Sequence, residues 1–90
     1  MIELVATIRN EAGIHCRPSS VIVRTAVNYP GTIRIQTEAG VADCRSIMGL
    51  LCLAMEKGTQ IVISVSGQDE ERMSRELVEL FETEFDFSPQ

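Results

Sequence analysis

The chain contains one histidine, and it lies two residues before an arginine in a segment that could bind phosphate. His15 and Arg17 belong to the sequence GIHCRPSS at residues 13–20, between a glycine turn and a helix predicted to begin near Pro18. The first N–H groups of a helix favour negative charge. The forked guanidinium of arginine matches phosphate oxygens. This arrangement suits an imidazole that holds a phosphoryl group on a ring nitrogen.

Two other interpretations of this segment follow from the residues. A lone histidine at the start of a helix is more often a solvated polar residue or a cap, and on placement alone that structural role is favoured. A small hydrolase would use Cys16 as the nucleophile and His15 as its base. Adjacent residues rarely orient in that way, and the sequence offers no further polar residue placed to orient the imidazole.

Ser46 is the second position with chemical potential. It directly precedes an apolar run at residues 47–55, where a helix N-cap is expected. Without other information Ser46 is a cap. A phosphate at an N-cap gains from the same N–H groups as the hydroxyl, and it adds about −1.5 to −2 charges. We therefore expect any modification of Ser46 to act by repulsion, without a large change of shape.

The apolar side chains after Ser46 are too many for one buried face of a short helix. We predict that Ile47, Met48 and Leu51 are exposed, and exposed apolar side chains on a small domain usually mark a contact surface. The alternative is a longer helix whose apolar residues all belong to the core. Three arginines would form a basic rim around this surface: Arg17, Arg24 and Arg45.

Alternation of apolar and polar residues predicts the strands that support these segments. The predicted strands cover residues 2–8, 32–37, 41–44 and 60–66, with a hairpin turn at residues 38–40. Each has one polar face, which favours a single antiparallel sheet covered on one side.

Apolar residues at helical spacing predict helices in the remaining segments. The first predicted helix runs from Pro18 to just before Tyr29, with Ile22, Val23, Ala26 and Val27 as its apolar stripe. The second follows Ser46 and ends at residues 56–58. The third is capped by Asp69, and its apolar stripe extends through Phe81 towards Phe85. The order is β-α-β-β-α-β-α, and residues 86–90 are predicted to be a frayed tail.

Charge and composition exclude several classes of function. Eight basic and thirteen acidic residues give a net charge of −5 and a pI near 4.7, which argues against nucleic-acid binding. No apolar run is long enough to span a bilayer, and no signal peptide is visible. The three cysteines lack the spacing of a disulfide scaffold or zinc site. We expect one cytoplasmic domain over residues 1–90, monomeric, with no metal and no cofactor.

The two motifs together resemble a known family. Residues 13–20 are similar to the phosphorylation site of HPr, the histidine-containing phosphocarrier of the bacterial phosphoenolpyruvate:sugar phosphotransferase system. Residues 45–51, RSIMGLL, resemble the regulatory-serine region of the same family. Length and element order agree as well. The fold that the resemblance implies is α+β, an open-faced β-sandwich with a four-stranded antiparallel sheet covered on one face by three helices.

The resemblance also implies roles for particular residues. His15 would accept a phosphoryl group on Nδ1 from phosphorylated enzyme I and pass it to IIA domains of sugar permeases. Arg17 would stabilise the phosphate and pair with partner carboxylates. Ser46 would be the target of HPr kinase/phosphorylase, and a catabolite control transcription factor is a further partner.

Two further features bear on the place of the chain in the family. Cys16 replaces the alanine, serine or threonine that is more usual after the histidine. Residues 80–86 also resemble the nitrogen-branch homologue, NPr, which leaves the branch open. A nitrogen-branch carrier and a mainly regulatory protein that acts through Ser46 therefore remain alternatives, although regulatory members of the family lack the active histidine.

Overall fold

A computed structural model describes residues 1–85, which form a four-stranded sheet packed against three helices. The predicted order of elements and the open-faced α+β fold are confirmed. The prediction of a frayed tail concerns residues 86–90, which lie outside the described part of the chain. The elements are β1 (Ile2–Thr7), α1 (Cys16–Ala26), β2 (Thr32–Thr37), β3 (Gly40–Asp43), α2 (Ile47–Cys52), β4 (Gln60–Ser66) and α3 (Glu70–Phe81).

The sheet has the order β1-β4-β2-β3, and every neighbouring pair is antiparallel. The bounds predicted for β2 and β4 are correct, β1 ends one residue early, and β3 is shifted by one. Alternation places one face of the central strands in the core. Ile35 of β2 lies opposite Ile63 of β4, and both side chains are fully buried. The buried face of the sheet therefore lines the core beneath the helices.

The first helix begins and ends two residues earlier than predicted, since it runs from Cys16 to Ala26 and not from Pro18 to the residue before Tyr29. It starts at Cys16, which places Pro18 within the first turn. Proline is tolerated there because the first N–H groups of a helix have no intrahelical partner. Ile22 and Ala26 are fully buried, but Val27 is 49% exposed at the C-cap, so its predicted place in the apolar stripe is wrong.

The second helix is shorter than predicted. It ends at Cys52, and not at residues 56–58, because Ala54 has a left-handed φ of 50° that a helix cannot continue through. This turn lets Leu53 and Met55 enter the core from outside the helix. Gly58 lies in the turn that follows and is not the helix terminus.

The third helix begins as predicted at its N-cap position, but the predicted side-chain cap is wrong. Asp69 has a φ of 55°, and its carboxylate makes no capping hydrogen bond. Glu70 Oε2 instead accepts from the Gly67 N–H at 3.2 Å. Leu77 and Phe81 are fully buried against the sheet, and Phe85 lies beyond the end of the helix.

Cys44 gives a testable alkaline dependence of stability. Burial, with a further contribution from the charge of Asp43, raises the pKa of its thiol to about 12 from the usual value of 9.0. The unfolded chain therefore loses this proton at a lower pH than the folded chain, so stability must fall as pH rises from about 9 towards 12. Urea unfolding at pH 8 and pH 10 should show a smaller alkaline loss in Cys44→Ala than in the exposed control Cys52→Ala. Equal losses would refute this assignment.

Candidate phosphoryl-acceptor site

His15 is the N-cap of α1, and its side chain is exposed. Its backbone carbonyl accepts from the Ser19 N–H at 3.0 Å, while its side chain makes no capping hydrogen bond. Cys16 and Arg17 are also exposed, whereas Pro18 is buried and anchors the first turn. The imidazole is thus presented on the surface at a helix start, where the helix dipole favours negative charge.

The backbone just before His15 requires glycine. Gly13 has a φ of +73°, and a Cβ added there would lie 2.5 Å from the Met55 carbonyl oxygen. The next residue, Ile14, donates its N–H to that same oxygen at 2.8 Å. The connection after α2 therefore supports the loop that leads to His15, and this explains the glycine of the motif.

Gly13→Ala should destabilise the protein for two reasons. The left-handed conformation costs alanine about 1–2 kcal/mol, and the contact with the Met55 carbonyl adds strain. We therefore expect the free energy of unfolding to fall by about 2 kcal/mol or more. Gly58→Ala is the matched control, because Gly58 has a similar positive φ of +90° but open space around its Cβ position. A Gly13→Ala protein no less stable than the Gly58→Ala protein would show that the close approach is unimportant.

Ser46 caps α2 as predicted. Its Oγ accepts from the Gly49 N–H at 3.0 Å, and its backbone carbonyl accepts from the Leu50 N–H at 3.0 Å. The side chain is half-buried. A Cβ at residue 49 would lie 3.2 Å from the Ser46 Oγ, so Gly49 keeps this end of the helix uncrowded.

The neighbouring Arg45 is engaged within the chain. Its Nε lies 3.2 Å from Asp43 Oδ1, and the hydrogen bond and charge of this pair lower the pKa of Asp43 and raise that of Arg45. Its Nη1 also donates to the Tyr29 carbonyl at 3.5 Å. Arg45 therefore differs from Arg24, which is exposed in the last turn of α1.

The remaining predicted surface residues lie on two adjacent helices. Helices α1 and α2 pack against each other. On α2, Met48 is 69% exposed, Ile47 is 38% exposed, and Leu51 is half-buried. Arg17 and Arg24 are seven residues apart on α1, which places them on one side of the helix about 10 Å apart along its axis. Their role in partner binding stays a prediction.

Charge is distributed unequally among the helices. Two arginines and no acidic residue lie on α1, and α2 has no charged residue. By contrast, α3 contains four glutamates and two arginines. The acidic total of the protein therefore does not describe the face formed by α1 and α2.

Residue types alone did not reveal one contributor to the site. Asn10 is buried and hydrogen-bonds to the Gly13 carbonyl. The available signal was an asparagine three residues before a glycine, a spacing that is common in turns.

Residues 1–85 contain no helix that is long and apolar enough to cross a membrane. Over the same residues no group of three or more His, Cys, Asp or Glu side chains could hold a metal ion.

Comparison with known proteins agrees with this geometry. The family model for the PTS HPr component phosphorylation site matches residues 2–83. The phosphocarrier protein HPr of Xylella fastidiosa strain Temecula1 is 33% identical over 85 residues, covering 94% of this chain and 96% of the relative. The phosphocarrier protein HPr of Lysinibacillus sphaericus is 35% identical over 74 residues, covering 82% and 84%.

A solved structure gives the same result for the fold. The crystal structure of HPr-C-His from Thermoanaerobacter tengcongensis matches with a TM-score of 0.84 and 32% identity, over 90% of this chain and 91% of that chain. The family model spans nearly the whole described chain, and the segment around His15 lies within it. The chain therefore belongs to the HPr family of phosphocarrier proteins of the phosphotransferase system.

Proposed function

We propose that His15 accepts a phosphoryl group from phosphorylated enzyme I and passes it to IIA components of sugar permeases. The observation that supports this most is an exposed imidazole at the N-terminus of α1. An enzyme excludes water by enclosing its reacting groups. A carrier must instead insert its reactive group into the active sites of its partners. Exposure therefore favours a stoichiometric carrier over a hydrolase that uses Cys16 and His15.

The transfer needs no cofactor. A lone pair on His15 Nδ1, the atom implied by family membership, attacks the phosphorus of the phosphohistidine on enzyme I. The P–N bond of the donor breaks, and its electron pair returns to the donor imidazole. In the second transfer His15 is the donor. A nucleophilic group of the IIA component attacks the phosphorus of phospho-His15, the P–N bond breaks, and its electron pair returns to the imidazole of His15. Arg17 is placed in the first turn of α1, where its guanidinium could stabilise the oxygens of the phosphoryl group.

The partner surface in this proposal combines the start of α1 with the exposed part of α2. Ile47, Met48 and Leu51 supply apolar contact, and methionine adapts to more than one partner. The basic groups around it are Arg17, Arg24 and Arg45. The absence of acidic residues from α1 and α2 supports docking to acidic partners. We expect the carrier to be a cytoplasmic monomer.

Regulation at Ser46 is the second part of the proposal. HPr kinase/phosphorylase would transfer a phosphoryl group from ATP to Ser46 Oγ, and a catabolite control transcription factor would bind the modified form. The half-buried Oγ already accepts an N–H hydrogen bond at the helix start. A phosphate can be accommodated there without unfolding α2.

Incubation with enzyme I and phosphoenolpyruvate tests the carrier function. We expect one phosphate per chain, labile in acid and stable in base as a phosphoramidate is. Subsequent addition of sugar-type or nitrogen-type IIA proteins identifies the branch by which of them removes the label. Failure of the wild-type chain to accept phosphate would refute the proposal. Transfer only to the nitrogen-type protein would favour the nitrogen-branch alternative.

A further inference from the structure

Asn10 is a buried amide that joins two distant parts of the chain. Asn10 is only 4% exposed. Its Nδ2 donates to the Gly13 carbonyl at 2.7 Å, and its Oδ1 accepts from the Phe85 N–H at 2.8 Å. A buried amide with a donor and an acceptor both used has one defined orientation, because reversing it would place donor against donor.

The first of these bonds completes the fixation of one peptide group. The carbonyl of the Gly13–Ile14 peptide is held by Asn10, and its N–H is held by the Met55 carbonyl at 2.8 Å. Ile14 itself is buried in the core. His15 follows Ile14, so the peptide group that precedes the Ile14–His15 peptide is held at both its carbonyl and its N–H. Rotation of this peptide group would cost both hydrogen bonds.

The second bond attaches this loop to the segment that follows α3. Glu82 lies nearby on the same segment, where its Oε2 accepts from the Thr7 N–H at 2.9 Å and its Oε1 lies 4.0 Å from Arg9 Nε. The end of α3 is thereby fastened to the end of β1 and to the loop before His15. The hydrogen bonds at Thr7 and at Asn10 Oδ1 each join residues 75 positions apart in the sequence.

We infer that Asn10 is a positioning residue for phosphoryl transfer at His15, an inference that rests on the proposed carrier function. Phosphoryl transfer between two imidazoles requires the attacking nitrogen and the leaving nitrogen to be aligned, and an error of about 1 Å can cost about 100-fold in rate. Asn10 acts on this alignment through the Gly13–Ile14 peptide, without contact with the phosphoryl group. Its loss should therefore lower the maximal rate more than it weakens docking.

Asn10→Ala, measured in the full chain, tests this inference. We expect the maximal rate of phosphorylation by enzyme I to fall about 10- to 100-fold, with KM within about twofold of the wild-type value. Hydrogen exchange of the Ile14 amide should accelerate about tenfold or more relative to the Leu50 amide. Ile35→Val is the control, because it removes a core methyl group in β2 away from the loop. If Asn10→Ala does not fold, Asn10→Ser replaces it, since its hydroxyl is one bond too short for the Gly13 carbonyl.

The measurements on Asn10→Ala and Ile35→Val either support or overturn the positioning role of Asn10. A fall in rate with KM preserved and faster Ile14 exchange, both absent in Ile35→Val, supports the inference. Unchanged Ile14 exchange, an unchanged rate, or a loss no larger than in Ile35→Val overturns it while leaving the carrier function intact. Absence of phosphorylation in the wild-type protein overturns the carrier function, and the inference with it.

Discussion

Replacement of His15 by alanine is expected to reduce phosphorylation by enzyme I and phosphoenolpyruvate to background. The chain contains one histidine, so no second imidazole can accept the group. His15 is exposed at the start of α1. Substitutions at exposed positions usually change the free energy of unfolding by less than about 1 kcal/mol, and we expect the same of His15→Ala. Labelling with radioactive phosphoenolpyruvate, together with urea unfolding of the same samples, measures both quantities.

Two controls make the His15→Ala result specific. Cys16→Ala alters the adjacent exposed side chain and should retain one phosphate per chain. Ser46→Ala removes the other candidate acceptor and should retain the enzyme I-dependent label as well. Label that persists in His15→Ala, or disappears in Cys16→Ala with the fold intact, would show that the acceptor has been assigned to the wrong residue.

A negative charge at Ser46 is expected to slow phosphoryl transfer at His15 without unfolding α2. Aspartate is as good an N-cap as serine, so Ser46→Asp should keep its stability within about 1 kcal/mol of wild type. The added carboxylate would repel an acidic group of enzyme I that docks beside it. For two like charges about 10 Å apart at an effective dielectric near 20, this repulsion costs roughly 1.7 kcal/mol. We therefore expect the rate of phosphorylation by enzyme I to fall on the order of tenfold at low salt.

Ser46→Asn is the matched control for charge. Asparagine has the shape of aspartate and also caps helices, so its rate should stay close to that of wild type. Raising the ionic strength from about 0.01 M to 1 M shortens the screening length from about 30 Å to 3 Å. The deficit of Ser46→Asp should shrink accordingly. A deficit that Ser46→Asn shares, or one that salt does not change, would mean that shape is responsible and not charge.

Periodicity predicted the sheet well because its strands have clear inward and outward faces. The bounds of β2 and β4 are those that the alternation through Ile33, Ile35, Ile61 and Ile63 gives. The errors at helix ends have a different origin. Any position in the first turn accepts proline, so Pro18 locates the start of α1 only to within two residues, and the end of α2 depends on the backbone of Ala54. An alanine in a sequence does not predict a left-handed conformation.

The candidate site was predictable in part. The motif indicated His15, Arg17 and Ser46, and the structure places them at the starts of two helices that pack together. The support for His15 was not predictable, because it comes from bonds to Met55 and Phe85 that span long stretches of sequence. The net charge of −5 was also misleading on this scale, since α1 and α2 contain no acidic residue.

Direct observation of the phosphorylated ring tests the central claim most sharply. The protein, labelled with ¹⁵N in its one histidine, is phosphorylated by enzyme I and phosphoenolpyruvate and studied by ¹⁵N and ³¹P NMR. A phosphorus–nitrogen coupling at Nδ1 of His15, in a signal that disappears when a IIA protein is added, is the predicted result. Phosphorus without coupling to a ring nitrogen, or a phosphoimidazole that no IIA protein can discharge, would contradict the account.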